Sequence, residues 1–346
     1  MASIIERSAL SVRMFAARCL PVPVKTRLKA GPLRAVTTAI EQMEARSLSR
    51  DFPRDRRFES SAESEAASAS MSIIVPIHEA PVVTNRCLTS LERNARKAEI
   101  ILVNDGSRLP EMAPLIRDFS ERNGWSVVHN QVAGGHSAAC LAGAGLSRRP
   151  YLCLLNSDTV VTPWCWAAMR QAFEANSSIG LAGPCTSSSG NEQTLDVAIK
   201  CRLYWSDSQI CGFAERLVTS PPAPEILDLP WISGFALFIR RSLWEALGGF
   251  DRNLPGYWND IELCKRVTDA GYRTVWVRSA YIHHLGSQSY RKRLPDQEIE
   301  KRVRALVQYI RDKHQWEPPP NASYTKLVKG RDGKWLFQSG RERAHV

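Results

Sequence analysis

The sequence predicts an α/β fold, a doubly wound, mostly parallel sheet with flanking helices, on three observations. From Met71 onward short apolar runs alternate with amphipathic helical stripes, a spacing that requires parallel strands joined by right-handed crossovers. The run Tyr151-Leu152-Cys153-Leu154-Leu155 is wholly apolar, as suits a central strand buried on both faces. It stops at Asn156-Ser157-Asp158, and other strands end the same way, at His78 and Glu79 and at Asp105 and Ser107. Ligands bind outside the carboxyl ends of the strands in such sheets, where a carboxylate can hold a hard divalent cation against a diphosphate. Turn formation explains any one of these polar groups. It does not explain their collection along one edge.

The element order follows from periodicity and punctuation. Strands are predicted at 72–76, 99–103, 125–129, 151–155 and 179–183, with helices at 82–94, 110–123, 137–146 and from Pro163 to about Ala175. Val83, Cys87, Leu88 and Leu91 form the stripe of the first helix, and Pro110 and Gly124 bracket the second. Past residue 184 the alternation fails. Thr186 to Gly190 is serine-rich and 200–229 shows no clean period, so a mobile or acceptor-facing region is expected there. Order returns with a strand at 231–240 carrying Gly234 and a helix at 242–247 closed by Gly248 and Gly249. A helix from Asn259 ends before Gly271, and a strand covers 274–277.

The ends differ in character. Residues 1–20 carry Arg7, Arg13 and Arg18 among small and apolar residues, and suit a membrane-surface helix, a transit-like segment or a loosely ordered extension. The low-complexity linker at 60–70 favours the last; nothing before Met71 is needed by the folded pattern, so translation starting at Met71 also fits. Residues 291–313 form a basic helix with Ile299, Val303, Leu306 and Ile310 on one face, and the tail beyond Pro318 is expected to be weakly structured. The division is therefore 1–70, 71–290 and 291–346.

Composition narrows the class. Among 346 residues, 44% are hydrophobic and 23% charged, ordinary globular values. The net charge of +11 points to an anionic partner; it is spread over both ends, so no nucleic acid is expected. Nine scattered cysteines without a Cys-x-x-Cys pair exclude a disulfide framework or zinc module and indicate a reducing compartment. No apolar run approaches the roughly 18–20 residues that cross a bilayer. A cytoplasmic protein with peripheral contact at the inner membrane face is expected.

Over residues 72–289 the chain resembles the family-2 glycosyltransferases of GT-A fold. The resemblance rests on an ordered set: Ile74-Val75-Pro76-Ile77-His78, Val103-Asn104-Asp105-Gly106-Ser107, Leu154-Leu155-Asn156-Ser157-Asp158, Ile232-Ser233-Gly234-Phe235, Gly249-Phe250-Asp251, Asn259-Asp260-Ile261-Glu262 and His284-Leu285-Gly286-Ser287. It is nearest to the rhamnosyltransferase-like branch that builds bacterial surface polysaccharides. The resemblance implies an inverting transfer from a UDP- or dTDP-sugar to a saccharide or lipid-linked acceptor. It places Pro76, His78, Glu79, Asp105, Ser107, Gly135 and Asn156 around the nucleotide. Asp158 and His284 would hold Mg or Mn on the diphosphate, and Gly234, Asn259 and Glu262 would line the sugar or acceptor. Asp260 would be the general base, the carboxylate that inversion requires.

Departures from the family pattern stand beside this. Asn259 replaces the usual Glu before the base, and with Glu262 three residues on it forms a capping-box-like helix start. Leu141 stands where a second Asn is expected after Asn130 and Gly134-Gly135, and Glu79 puts a negative charge where Asn is frequent. Three rivals remain. A Rossmann dehydrogenase needs glycines after the first strand, where Pro76-Ile77-His78-Glu79 stands instead. A nucleotidyltransferase wants a glycine-rich basic loop there. A non-catalytic sugar-nucleotide binding module would have no use for Asp158 and Asp260.

Overall fold

The computed structural model describes residues 62–201, 203, 205–219, 225–286, 296–319, 323–329 and 335–341. In order the elements are α1 (Ala62–Ser68), β1 (Met71–Ile77), α2 (Pro81–Asn94), β2 (Glu99–Asp105), α3 (Met112–Asn123), β3 (Ser126–Asn130) and α4 (His136–Ala144). Then come β4 (Tyr151–Leu155), β5 (Thr159–Val161), α5 (Cys165–Ala175), β6 (Ile179–Cys185), α6 (Asp196–Cys201) and α7 (Asp207–Thr219). The rest comprises β7 (Ile226–Asp228), β8 (Ala236–Arg240), α8 (Arg241–Leu247), α9 (Asn259–Asp269), β9 (Arg273–His284), α10 (Asp296–His314), β10 (Ser323–Lys329) and β11 (Trp335–Arg341).

One sheet in the order β3-β2-β1-β4-β8-β6-β9-β5, with β7 beside β9, carries the fold. The pairs of β1 with β2 and β4, and of β2 with β3, are parallel, as alternating strands and helices require. β8 runs antiparallel between β4 and β6, so the sheet is mixed rather than purely parallel. β5 and β7 also run antiparallel, both against β9.

The core fills both faces. Met71, Ile73, Val75, Leu102 and Cys153 pack on one side with Leu88, Leu91, Ile116, Phe119, Trp166 and Phe173 from α2, α3 and α5. On the other, the small-residue helix α4 lies close to the sheet. A Cβ on Gly143 would stand 2.5 Å from Ile74 Cγ2, so the run of Ala and Gly in α4 is what permits the approach.

Several expectations are corrected. Within the linker expected at 60–70, α1 buries Ser64, Ala67 and Ser68, and Ser64 Oγ donates to Pro163 O. Residues 1–61 lie outside the described residues. Helix α3 begins at Met112, past Pro110. The strand expected at 231–240 covers only Ala236–Arg240, because residues 231–235 are loop. The strand expected at 274–277 extends through His284. Within the aperiodic stretch 200–229, α7 buries Ile210, Phe213, Ala214 and Leu217 and packs on β9; its buried face is broken by Gly and polar positions, which hid the period. The serine-rich segment is interior as well, with Thr186 and Ser187 fully buried. The tail after Pro318 includes the antiparallel pair β10 and β11.

Candidate active site

Asp105 ends β2 and is almost completely buried. Its Oδ1 accepts from Asn130 Nδ2 and Gly134 N, both at 2.9 Å, and its Oδ2 accepts from Gly135 N at 2.8 Å. The carboxylate therefore shapes the loop after β3. Gly106 follows at φ +62, where a Cβ would strike Ala133 N at 2.5 Å. Around it, His78 Nδ1 lies 2.7 Å from Asp105 O, and Ser107 Oγ accepts from Glu79 N. Pro76 sits in β1 beside Val103. The two carboxylate oxygens of Glu79 accept from Arg108 N and Leu109 N at 2.9 and 3.0 Å. Its charge is thus engaged in closing the 107–109 turn.

Asp158 and His284 meet because β5 pairs with β9, setting Thr159 opposite His284. Both side chains are buried, and His284 Nε2 lies 3.1 Å from Asp158 Oδ1. His284 Nδ1 donates to Ser188 O, so Nε2 is the ring nitrogen that faces the carboxylate. Two electron-pair donors at this spacing are the chemistry of a divalent cation site, and the pair fits that group. Among the described residues no set of three His, Cys, Asp or Glu gathers for a metal, so any further ligands would come from diphosphate or water, the usual manner of Mg binding at phosphates. Ser187 Oγ bonds both His284 O and N; the serine-rich segment is a support for this residue.

Asp260 is the second residue of α9. Its Oδ2 accepts from Gly234 N at 2.7 Å and its Oδ1 from Ile261 N at 2.9 Å. Burial raises its pKa, while these N–H groups draw it back. Gly234 belongs to a loop held by Gln193, whose Oε1 accepts from Ser233 N at 2.8 Å and whose Nε2 donates to Pro184 O. Sequence reading passed over Gln193; a lone buried Gln carries no pattern.

The capping box is absent. The residue before α9 is Trp258, at φ +68 and without a side-chain cap, while Asn259 Oδ1 accepts from Asp260 N. Glu262 is fully buried and bonds Arg266, Lys313 and His314. These bonds of Glu262 anchor α10 to α9. Burial acts to raise its pKa, but Arg266 and Lys313 bring it below the ordinary glutamate value.

The remaining site residues join these groups. Gly135, at φ +87, lies where a Cβ would meet Pro255 O at 2.6 Å. Asn156 N donates to Phe235 O at 2.8 Å. The rings of Phe235 and His284 stack at 5.2 Å. A continuous path of contacts therefore runs from Asp105 through Gly135, His136, Asn156 and Phe235 to His284 and Asp158, and through Asn259 to Asp260. Sequence reading missed His136, which touches both Asn156 and Asn259. Its only signal is its place after Gly134-Gly135. Leu141 packs by Gly249, and Ser287 lies outside the described residues.

Residues 72–218 match the model of glycosyl transferase family 2. That stretch, less than half of the chain, is similar to the family. An N-acetylglucosaminyl-diphospho-decaprenol L-rhamnosyltransferase of Mycobacterium tuberculosis is 32% identical to this chain over 99 residues, 28% of this chain and 32% of that protein. An O-antigen biosynthesis protein of Myxococcus xanthus is 24% identical over 252 residues, 65% of this chain and 18% of that one. The chain thus spans a third or less of the length of these two relatives. A mannosyltransferase of Pyrobaculum calidifontis, solved with GDP-mannose and Mn2+, superposes with a TM-score of 0.51 at 14% identity over 83% of this chain and 75% of its own. The fold is GT-A, its mixed, mostly parallel sheet flanked by helices. Among the described residues, no helix is long and apolar enough to cross a membrane.

Proposed function

We propose that this protein transfers a sugar, with inversion, from a nucleotide-diphosphate sugar to an acceptor hydroxyl. The observation that most supports this is the joining of Asp105, Asp158 and Asp260 through one path of contacts at one end of the sheet. Pro76, His78, Ser107, Gly135 and Asn156 would surround the nucleotide of a UDP- or dTDP-sugar, with Asp105 shaping their loops. Asp158 and His284 would hold Mg or Mn, whose charge stabilises the departing diphosphate; the mannosyltransferase neighbour's Mn2+ supports that reading. Asp260 would accept the acceptor proton as the hydroxyl oxygen bonds to C1 opposite the breaking C1–O bond, and the nucleoside diphosphate leaves. Gly234 holds the base in place. The rhamnosyltransferase relative's lipid-diphosphate acceptor and the O-antigen relative support polysaccharide or glycoconjugate synthesis on a saccharide or lipid-linked acceptor, with peripheral contact at the inner membrane face.

The test is release of nucleoside diphosphate from UDP-, dTDP- and GDP-sugars with Mn2+, Mg2+ or EDTA. Release that needs the metal and disappears in Asp158→Ala is expected. Binding without turnover across a broad acceptor panel would replace the enzyme reading with a binding module.

A further inference from the structure

We propose that His136 is a positioning residue whose neutral ring ties the strand-tip amide of Asn156 to Asn259 at the start of the base helix; this rests on the glycosyltransferase reading above. His136 opens α4, directly after the two glycines that Asp105 holds. Its Nε2 is 3.2 Å from Asn156 Oδ1, and its Nδ1 is 3.1 Å from Asn259 Nδ2. One ring therefore spans from β4, which carries the candidate cation ligand, to α9, which carries the candidate base.

Hydrogen-bond logic sets the ring's protonation. Asn259 Nδ2 also donates to Ser137 Oγ at 2.8 Å, and Ser137 Oγ must accept because its own proton goes to Leu254 O. Asn259 Oδ1 accepts from Asp260 N at 3.0 Å. The Asn259 amide cannot be turned over without losing both contacts. Nδ1 of His136 must then accept, so the ring proton sits on Nε2 and is donated to Asn156 Oδ1. That orientation makes Nδ2 the Asn156 amide atom that His136 does not engage, on the residue two before Asp158. Burial favours the same uncharged ring.

The arrangement gives His136 a role without contact to substrate. Asn259 Oδ1 holds the backbone N–H of the base itself, so loosening Asn259 loosens Asp260. Loosening Asn156 shifts the strand tip two residues before Asp158. Both ends of the reacting bond are referred to one imidazole, and misplacing a catalytic group slows turnover without removing the groups that bind donor.

The experiment measures turnover, donor affinity and thermal unfolding for wild type, His136→Ala, His136→Gln and Asp260→Asn. His136→Ala should lower kcat by about 10–100-fold, the usual scale for a residue that orients a functional group, with donor affinity and melting temperature retained. His136→Gln should recover part of the loss, since its amide can donate to Asn156. Unchanged kcat in His136→Ala, alongside loss in Asp260→Asn, would overturn the positioning role and leave the transferase reading intact. Full turnover in Asp260→Asn would instead remove the base. Nitrogen-15 imidazole spectra at neutral pH test the geometry apart from turnover: a neutral ring protonated on Nε2, with an Nδ1 signal that moves in Asn259→Ala, is expected. A charged ring or an Nδ1–H tautomer would overturn the proposal.

Discussion

Asp105 and Glu262 are both buried carboxylates within the same site region, and they are satisfied in opposite ways. Asp105 takes two backbone N–H groups and one amide from the loop 130–135. Glu262 takes Arg266 from its own helix together with Lys313 and His314 from α10. The proposed donor side is thus held by neutral groups from one loop, and the proposed base side by charges from Glu262's own helix and from α10. Asp251 extends that second cluster, accepting from Lys313 and Tyr309. Hydrogen bonds from backbone amides need no partner charge, whereas a buried carboxylate that loses its cations is left costly and unpaired. The base side should therefore respond to acid, and to changes in α10, where the donor side does not.

The largest expected effect separates chemistry from scaffold. Asp260→Asn should reduce turnover by about 10²–10⁴-fold with donor affinity intact, measured by steady-state kinetics and calorimetry. Because burial raises the Asp260 pKa and the base acts ionised, the acid limb of the rate profile should lie above the ordinary aspartate value. Activity should be present above that limb and fall as pH drops through it.

Glu262→Gln breaks the base side directly. Removing one member of a buried ion cluster costs roughly 3–5 kcal/mol, read as a lowered midpoint in urea, while donor binding in the surviving folded protein should persist. The same cluster sets the acid response. Burial works to raise the Asp251 carboxyl, yet Lys313, Asn253 and Tyr309 bring it to about 2, and Glu262 is also lowered. Carboxylates depressed in the folded state give stability that is present above their unfolded pKa, about 4, and lost as pH falls toward the folded values. Melting curves between pH 5 and pH 2 check this, those two limits being set at about the carboxylate range.

Gly135→Ala probes the seam between the two sides. The residue has φ +87 and no room before Pro255 O, so strain of about 1–3 kcal/mol is expected, with donor affinity reduced. A silent substitution would show that the loop at 134–135 has other room to move. The smallest effect concerns α1. Deleting through Ser70 removes buried Ala67 and the Ser64 bond to Pro163, a loss of about 1–2 kcal/mol. A variant with unchanged melting would return residues 62–70 to the status of linker.

The α/β class, the order of strands through β4 and the strand-tip positions of Asp105, Asn156 and Asp158 could be read from residue order alone; β5, three residues long, could not. Period, apolar runs and polar endings are local properties, and a parallel sheet of short crossovers follows from them. Tertiary pairing decided the rest. The antiparallel direction of β8, the length of β9 that seats His284 beside Asp158, and the burial of α7 depend on partners distant in the chain. Asn259 and Glu262 matched a capping box by spacing, but the helix start is set by Trp258 and the Glu262 side chain by Lys313 and His314. His136 and Gln193 left no pattern because a hydrogen bond between distant segments has no period. Spacing along the chain records which residues share a face; only packing determines which faces meet, and the charges and lone pairs of this site were assigned there.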